Sequence, residues 1–173
     1  DDYINPNHPV QQNVIRTFSE MCHIEPKNIH LGIDGCSAPV FGIPLLNASW
    51  GYANLSDPEQ LTTTRAAACQ KITHAITSFP EMISGFGKFD TRLMQVCIGK
   101  IISKGGAEGF QAIGLFPGAL GPNSPAMGIA LKISDGDLAH RASHIASMEV
   151  LRQLGALNKS QFMDLSEFHT QAV

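Results

Sequence analysis

This chain is organised around residues 30–46, which read His30-Leu-Gly-Ile-Asp-Gly-Cys-Ser-Ala-Pro-Val-Phe-Gly-Ile-Pro-Leu-Leu46. Its side chains are apolar enough for a protein interior, yet glycines, prolines, an acid and a thiol interrupt it, which is unusual for a core strand. Asp34 and Cys36 are two residues apart, so their side chains would share one face of an extended segment. We expect this pair to bind a metal, to relay a proton or to form a hydrogen-bonded turn.

The composition is that of a globular chain without a preference for polyanions. With 173 residues, of which 43% are hydrophobic, positions 1–173 can form one domain or lobe. The formal charge of −3 gives no reason to expect nucleic acid or an anionic membrane as a partner. No apolar run is long enough for a membrane span, and the opening residues have no basic or apolar region of the kind that would lead us to expect a signal peptide. The low charged fraction of 16% suggests that other protein covers part of the surface.

The four cysteines indicate the compartment. They include no C-x-x-C pair, which excludes a zinc ribbon and a thioredoxin motif. Cys22, Cys69 and Cys97 fall among apolar neighbours in segments with helical periodicity. We therefore expect buried free thiols and a reducing, cytoplasmic location.

Periodicity and capping signals predict helices interspersed with few strands. The predicted elements are a helix over 9–22, a helical turn over 49–55, a helix capped by Asp57 and ending before Pro80, a helix capped by Asp90 or Thr91 that extends to Ile101, strands over 110–115 and 127–133, and a last helix capped by Asp137 that ends at Gly155. Two strands are too few for an independent sheet. We expect one lobe of a larger protein, in an α/β fold of the α+β type with helices packed on an antiparallel sheet.

Three other groups of residues could carry chemistry. Lys104-Gly-Gly could place an ammonium on a strand that approaches a substrate, or it could be a surface lysine before a turn. His140 and His144 have a spacing that could bind a metal, although Arg141 beside them favours a solvated pair. Glu81, Ser84 and Lys88 form a polar, glycine-flanked loop that could cover a site.

No serine in the sequence has a catalytic partner at a diagnostic spacing. Ser37, Ser49 and Ser84 are the candidates if the nucleophile lies within these residues. The nearest approach to a Ser-x-x-Lys motif is Ser84 with Lys88, which has one intervening residue too many. A complete serine or cysteine triad is not predicted.

Four runs resemble the thermolabile, Rhizobium-type L-asparaginase II family. They are Asp2-Tyr-Ile-Asn-Pro-Asn-His-Pro-Val-Gln11, Gly32-Ile-Asp-Gly-Cys-Ser-Ala-Pro39, Pro80-Glu-Met-Ile-Ser-Gly85 and Lys104-Gly-Gly-Ala-Glu-Gly109. The resemblance implies a fold similar to serine β-lactamases and glutaminases. It also implies hydrolysis of asparagine to aspartate and ammonia through a serine nucleophile and an acyl-enzyme, with zinc near the site and a homodimeric enzyme.

Three residues match functional positions of that family. Its zinc is held by two cysteines and a lysine, and Cys36 matches the second cysteine. Asp34 matches an acid beside the metal, which implies an orienting or substrate-binding role. Lys104 matches the lysine on the strand that faces the reactive serine, which implies a catalytic role.

The resemblance also implies that parts of the site come from elsewhere. Family members are longer than this chain, and their Ser-x-x-Lys nucleophile and Cys-Ser-Gly-Lys-His block do not occur in it. We therefore expect these residues to be the C-terminal half of such an enzyme, associated with the N-terminal half or as a homodimer. The alternative is a non-catalytic partner lobe, or an amide-binding module without a nucleophile.

Overall fold

The computed structural model describes residues 4–169, so the start of the 2–11 run lies outside the described residues. Within that range the elements, in chain order, are α1 Pro9–Cys22, β1 His30–Ile33, β2 Pro39–Gly42, α2 Leu45–Ser56, α3 Thr63–Ser78, α4 Glu81–Ser84, α5 Phe89–Val96, β3 Ile101–Gly105, β4 Phe110–Leu115, β5 Met127–Lys132, α6 Ser143–Gln153 and α7 Lys159–Asp164. Helices pack on antiparallel sheets, which confirms the predicted mixed α+β class.

The larger sheet has the strand order β3-β4-β5, and β4 is antiparallel to both neighbours. Gly114 of β4 lies opposite Gly128 of β5, so this part of one sheet face carries no side chains. Helix α2 lies against that face. A Cβ on Gly128 would come within 1.7 Å of the Ser49 carbonyl oxygen, which shows how closely the helix backbone approaches the strand.

The opposite face of the sheet contacts the main hydrophobic core. Ile101, Ile113 and Leu115 lie on this face because facing residues of paired strands share a side. They pack with Leu93 of α5 and Met148 of α6, and all five side chains are buried. A fully buried side chain of this size stabilises the fold by about 1.5–3 kcal/mol, so this cluster fixes the helices on the sheet.

The stretch 30–46 forms a hairpin, and it is not a buried wall. Strands β1 and β2 pair antiparallel, with His30 opposite Gly42. All of β1 is exposed, and Ile33 keeps 74% of its surface accessible. The expectation of burial is therefore wrong for this segment among the described residues.

Several predicted boundaries are confirmed and others shift. Helix α1 has the predicted bounds, and the His8 Nδ1 atom caps it by accepting the Val10 N–H at 3.2 Å. Strand β4 has the predicted bounds, and β5 ends one residue early. The last long helix, α6, ends just before Gly155 as predicted, but it begins at Ser143, although Asp137 accepts N–H groups at its start.

The other predicted boundaries are wrong because tertiary contacts determine where those helices and strands begin and end. Residues 49–55 belong to a full helix, α2, because it packs along the sheet. Helix α3 begins after Thr62, whose Oγ1 accepts the Arg65 N–H, and Asp57 ends α2 instead. Ile101 opens strand β3, so the preceding helix is shorter than predicted.

The structure confirms that the three cysteines predicted to be buried are buried. Cys22, Cys69 and Cys97 are free thiols with almost no exposed surface, and Cys36 is free and exposed. Burial raises the pKa of the Cys22 and Cys97 thiols to about 11, so neither is a reactive thiolate at neutral pH.

Among residues 4–169, no helix combines the length and the apolar character needed to cross a membrane.

Candidate active site

Lys104 lies one residue before the end of edge strand β3, which was not among the predicted strands. Its side chain is exposed, and its Nζ donates a hydrogen bond to the Gly105 carbonyl oxygen. Because side chains alternate along a strand, Lys104 projects from the face opposite to Ser103 and Gly105. The ammonium is therefore accessible to a ligand while its backbone belongs to the sheet.

Beneath that position lies a buried carboxylate, Asp90, in the first turn of α5. Its Oδ1 accepts the Ser103 hydroxyl at 2.6 Å and the Gln111 amide at 2.7 Å. Its Oδ2 accepts the Ser84 hydroxyl at 2.7 Å and the Gly105 N–H at 2.9 Å. Sequence reasoning assigned Asp90 only a capping role and did not identify this cluster.

The environment of Asp90 keeps it ionised. Burial by itself raises the pKa of a carboxyl group. The hydrogen bonds from Ser103, Gly105, Ser84 and Gln111 act in the opposite direction and more strongly, so the pKa of Asp90 lies below its usual value. The site thus holds a permanent negative charge next to the strand that carries Lys104.

The segment 80–88 is more structured than a loop. It contains the single helical turn α4, and the Thr91 hydroxyl contacts the carbonyl oxygens of Pro80 at 3.1 Å and Gly85 at 2.8 Å. Ser84 points to Asp90, whereas Lys88 is exposed. Ser84 therefore joins the Asp90 cluster, and the expected set of Glu81, Ser84 and Lys88 does not form one polar group around it.

In the hairpin, Asp34 and Cys36 lie in the turn between β1 and β2, not in an extended segment. The Asp34 Oδ1 atom accepts the N–H of Cys36 at 2.8 Å and of Ala38 at 3.0 Å. This is the hydrogen-bonded turn that was one of the three expected roles. Both side chains are exposed, which leaves the Cys36 thiol accessible.

The described residues do not by themselves form a metal centre. No group of three or more His, Cys, Asp or Glu side chains within 4–169 is arranged to hold an ion. Cys36 could supply one ligand to a metal, because its thiol is exposed on a turn whose backbone Asp34 fixes. Any further ligands would have to come from other residues.

The two histidines form a stack. The rings of His140 and His144 are 4.7 Å apart and tilted by 5°, and His144 also stacks on Phe89 at 4.4 Å. Parallel rings direct their in-plane nitrogen lone pairs side by side, so the pair is poorly arranged to chelate one ion. His140 precedes α6, so the helical spacing expected for the two is wrong. Burial and the neighbouring His140 lower the pKa of His144 to about 4.

Within residues 4–169, the three candidate serines Ser37, Ser49 and Ser84, and Ser103 beside Lys104, have no hydrogen bond to a histidine. Ser84 and Ser103 donate to a carboxylate whose low pKa makes it a weak base. The Ser49 hydroxyl donates to the Leu46 carbonyl oxygen at 2.7 Å. Ser37 lies in the hairpin turn with a positive φ of 65°.

An apolar cavity of about 780 Å³ lies between α1, the hairpin, α2 and the sheet. Phe18, Phe41 and Tyr52 line it, together with Phe110 and Lys132. Phe110 lies two residues from Ala112, the strand partner of Lys104, so the cavity opens on the sheet face that carries this lysine. Burial, and then the charge of Asp90, raise the pKa of Tyr52 to about 12, so its hydroxyl stays protonated at neutral pH.

Comparison with known proteins adds the family. The family model for L-asparaginase II matches residues 1–173, the whole of the chain. No curated protein matches the chain significantly. The match agrees with the four runs that resemble this family. The chain therefore belongs to the L-asparaginase II family.

Proposed function

We propose that this chain contributes to an L-asparaginase, in which Lys104 acts on the side-chain amide of asparagine. Membership of the family supports an amidohydrolase in general. The observation that carries the proposal further is the position of Lys104, whose exposed ammonium stands on the edge strand above the Asp90 cluster. A cation held in this way can bind the substrate carboxylate or move a proton to the leaving amine.

The reaction would proceed in two steps. A serine oxygen would form a bond to the side-chain carbonyl carbon of asparagine, and the carbon–nitrogen bond would break to release ammonia. Water would then hydrolyse the acyl-enzyme to give aspartate. We place the nucleophilic serine outside the printed sequence, because the family's Ser-x-x-Lys motif does not occur in it and Ser84 and Ser103 are bonded to a weak base.

Lys104→Ala tests the role of the lysine. Ammonia release from asparagine by the intact protein should fall by about 10²-fold or more if the lysine takes part in proton transfer. Lys100→Ala is the matched control, because Lys100 is also exposed and lies just before the same strand. Unchanged activity of Lys104→Ala would remove the catalytic assignment.

A second assay locates the nucleophile. The 173-residue chain, incubated with asparagine and zinc, should release no ammonia, and adding the preceding segment of the protein should restore turnover. Turnover by the chain itself would instead place the nucleophile at Ser37, Ser49 or Ser84. The two results exclude each other, so this assay decides whether the site is split.

We also propose zinc as the cofactor, with Cys36 as one ligand and Asp34 beside it. The accessible thiol and the ordered turn support this, and the remaining ligands would lie outside the described residues. When bound, zinc would favour the thiolate form of Cys36 and could polarise a substrate oxygen. Asp34 would orient the turn or contact substrate.

Zinc content measured by mass spectrometry tests that assignment without an activity assay. Cys36→Ser should lower the zinc bound per chain, whereas Cys69→Ser should not, because Cys69 is buried and burial raises its thiol pKa. Equal zinc content in both variants would show that Cys36 is not a ligand.

The second candidate is a non-catalytic partner lobe. Exposed apolar side chains on the hairpin and the start of α2, such as Leu31, Ile33 and Leu46, favour an association with other protein. A homodimeric asparaginase would also use such a surface. Ammonia release separates the two functions, since a partner lobe would bind without turnover.

A further inference from the structure

Asp90 is a buried anion that is stabilised by neutral donors. Only 5% of its surface is exposed, and its four hydrogen bonds come from two hydroxyls, one amide side chain and one backbone N–H. Leaving a carboxylate in the interior is costly unless its lone pairs are satisfied. Each oxygen of Asp90 accepts two bonds, so the cluster meets that requirement.

Two of the four donors flank Lys104. The Ser103 hydroxyl lies on the residue before the lysine, and the Gly105 N–H on the residue after it. Gln111, the strand partner of Gly105, also donates to the Ser103 hydroxyl at 2.9 Å. The carboxylate therefore holds the end of β3 from the core side at the point where Lys104 leaves the opposite face.

Strand β3 is at the edge of the sheet and pairs only with β4 among the described strands. An edge strand loses register more readily than a central one, and here its last residue is a glycine. Ser84 connects the same carboxylate to α4, so three segments converge on one side chain.

We propose that Asp90 is a positioning residue for Lys104, because its carboxylate holds the residues on both sides of the lysine, through the Ser103 hydroxyl and the Gly105 N–H. This inference rests on the proposed function of Lys104. Asp90 is buried on the sheet face opposite to Lys104, so it would act through the geometry of β3. A small displacement of a catalytic group is enough to reduce turnover strongly.

A double-mutant cycle tests the proposal in the intact protein. Asp90→Ala should lower kcat for asparagine on the order of 10²-fold, with little change in KM, because binding elsewhere is retained. The loss of kcat should be smaller in Asp90→Asn. Its remaining oxygen can still accept the Gly105 N–H, and the Ser103 and Gln111 side chains can turn so that each accepts a hydrogen bond from the new amide group. In a Lys104→Ala background, either substitution should cause no further loss.

Asp137→Asn is the matched control. Asp137 is a buried carboxylate that accepts the N–H groups of Arg141, Ala142 and Ser143, so its loss also weakens a hydrogen-bond cluster. We expect it to lower Tm while leaving kcat at the wild-type level. If Asp90→Ala does not fold, the cycle is completed with Asp90→Asn, which has the same shape.

Amide hydrogen exchange at Gly105 provides a readout independent of turnover. Exchange should be clearly faster in Asp90→Ala, which removes the acceptor of the Gly105 N–H, faster to a smaller degree in Asp90→Asn, whose neutral amide oxygen is a weaker acceptor, and unchanged in Asp137→Asn. The inference would be overturned if an Asp90 substitution lowered kcat as much in the Lys104→Ala background as in the wild-type protein. Unchanged exchange at Gly105 would also overturn it. Absence of ammonia release by the wild-type protein would contradict the proposed function, and exchange at Gly105 would then decide whether Asp90 holds the strand.

Discussion

Asp90 and His144 are two interior ionisable groups that the chain treats in opposite ways. Asp90 receives four hydrogen bonds and stays charged. His144 lies between Phe89 and His140, where burial and a second imidazole disfavour its protonation, while Asp90 and Asp137 favour it weakly. The difference arises from the neighbours, because hydrogen-bond donors stabilise the anion of Asp90, whereas burial and a second imidazole disfavour a cation on the partly buried His144.

The low pKa of His144 predicts a loss of stability in mild acid. Its folded-state pKa of about 4 lies below its ordinary value of 6.5, so the unfolded chain binds more protons between these values. The contribution of neutral His144 to the stability of the folded chain is complete above pH 6.5 and declines as pH falls towards 4. The free energy of unfolding, from denaturant titrations, should drop on the order of 1 kcal/mol over this range after allowance for solvent screening.

His144→Phe keeps an aromatic ring in the stack and removes the titration. We expect the unfolding free energy of this variant to vary less over the same pH range. His74→Phe is the control, because His74 is exposed on α3 and should leave the pH dependence unchanged. If the unfolding free energy of His144→Phe varied with pH as steeply as that of the wild-type protein, the pH dependence would arise from other groups.

At the scale of elements, helix α2 determines how the sheet is covered. It approaches β4 and β5 at Gly114 and Gly128, where a Cβ would meet the Tyr52 and Ser49 carbonyl oxygens at 3.0 and 1.7 Å. Backbone carbonyls in a helix cannot rotate away as a long side chain can. The two glycines therefore set the distance between α2 and the sheet, and with it the depth of the cavity beside Tyr52.

Gly128→Ala should consequently destabilise the protein. The added methyl group would force α2 away from β5, which we expect to cost about 1–3 kcal/mol as other overpacked sites do. Thermal unfolding measures the change. Gly35→Ala is the control, since a Cβ there meets no atom within 4 Å, and its Tm should stay near the wild-type value. An unchanged Tm in Gly128→Ala would show that α2 lies further from the sheet.

At the scale of the whole molecule, apolar surface is concentrated on the hairpin and the start of α2. Ile33 exposes 74% and Leu46 exposes 69% of their surfaces, and Leu31 and Val40 are also exposed. The residues of the Asp34 turn lie in the same segment. A partner that covers this surface would therefore also approach Cys36.

We expect the protein to associate through that surface. Light scattering coupled to size exclusion should give the mass of a dimer or of a complex with a preceding segment, and Ile33→Ser combined with Leu46→Ser should shift it towards the single chain. Phe86→Ser is the matched control, because Phe86 is equally exposed but lies between α4 and α5. A single-chain mass for the wild-type protein would argue against the association.

Local signals in the sequence determined much of this protein. The helical periodicity of residues 9–22 and the strand predicted over 110–115 gave elements with the observed bounds, because such signals act over a few residues. The buried cysteines and the mixed α+β class followed in the same way. The resemblance of the four runs also led to the L-asparaginase II family.

Tertiary structure decided what depends on residues distant in the chain. Asp90 has the signature of a helix cap, and only the fold brings Ser84, Ser103, Gly105 and Gln111 to its oxygens. The hairpin's exposure and the full length of α2 likewise depend on which surfaces meet. Burial and hydrogen bonding between separate segments are collective properties of the folded chain, so the sequence identified Lys104 but not the carboxylate that holds its strand.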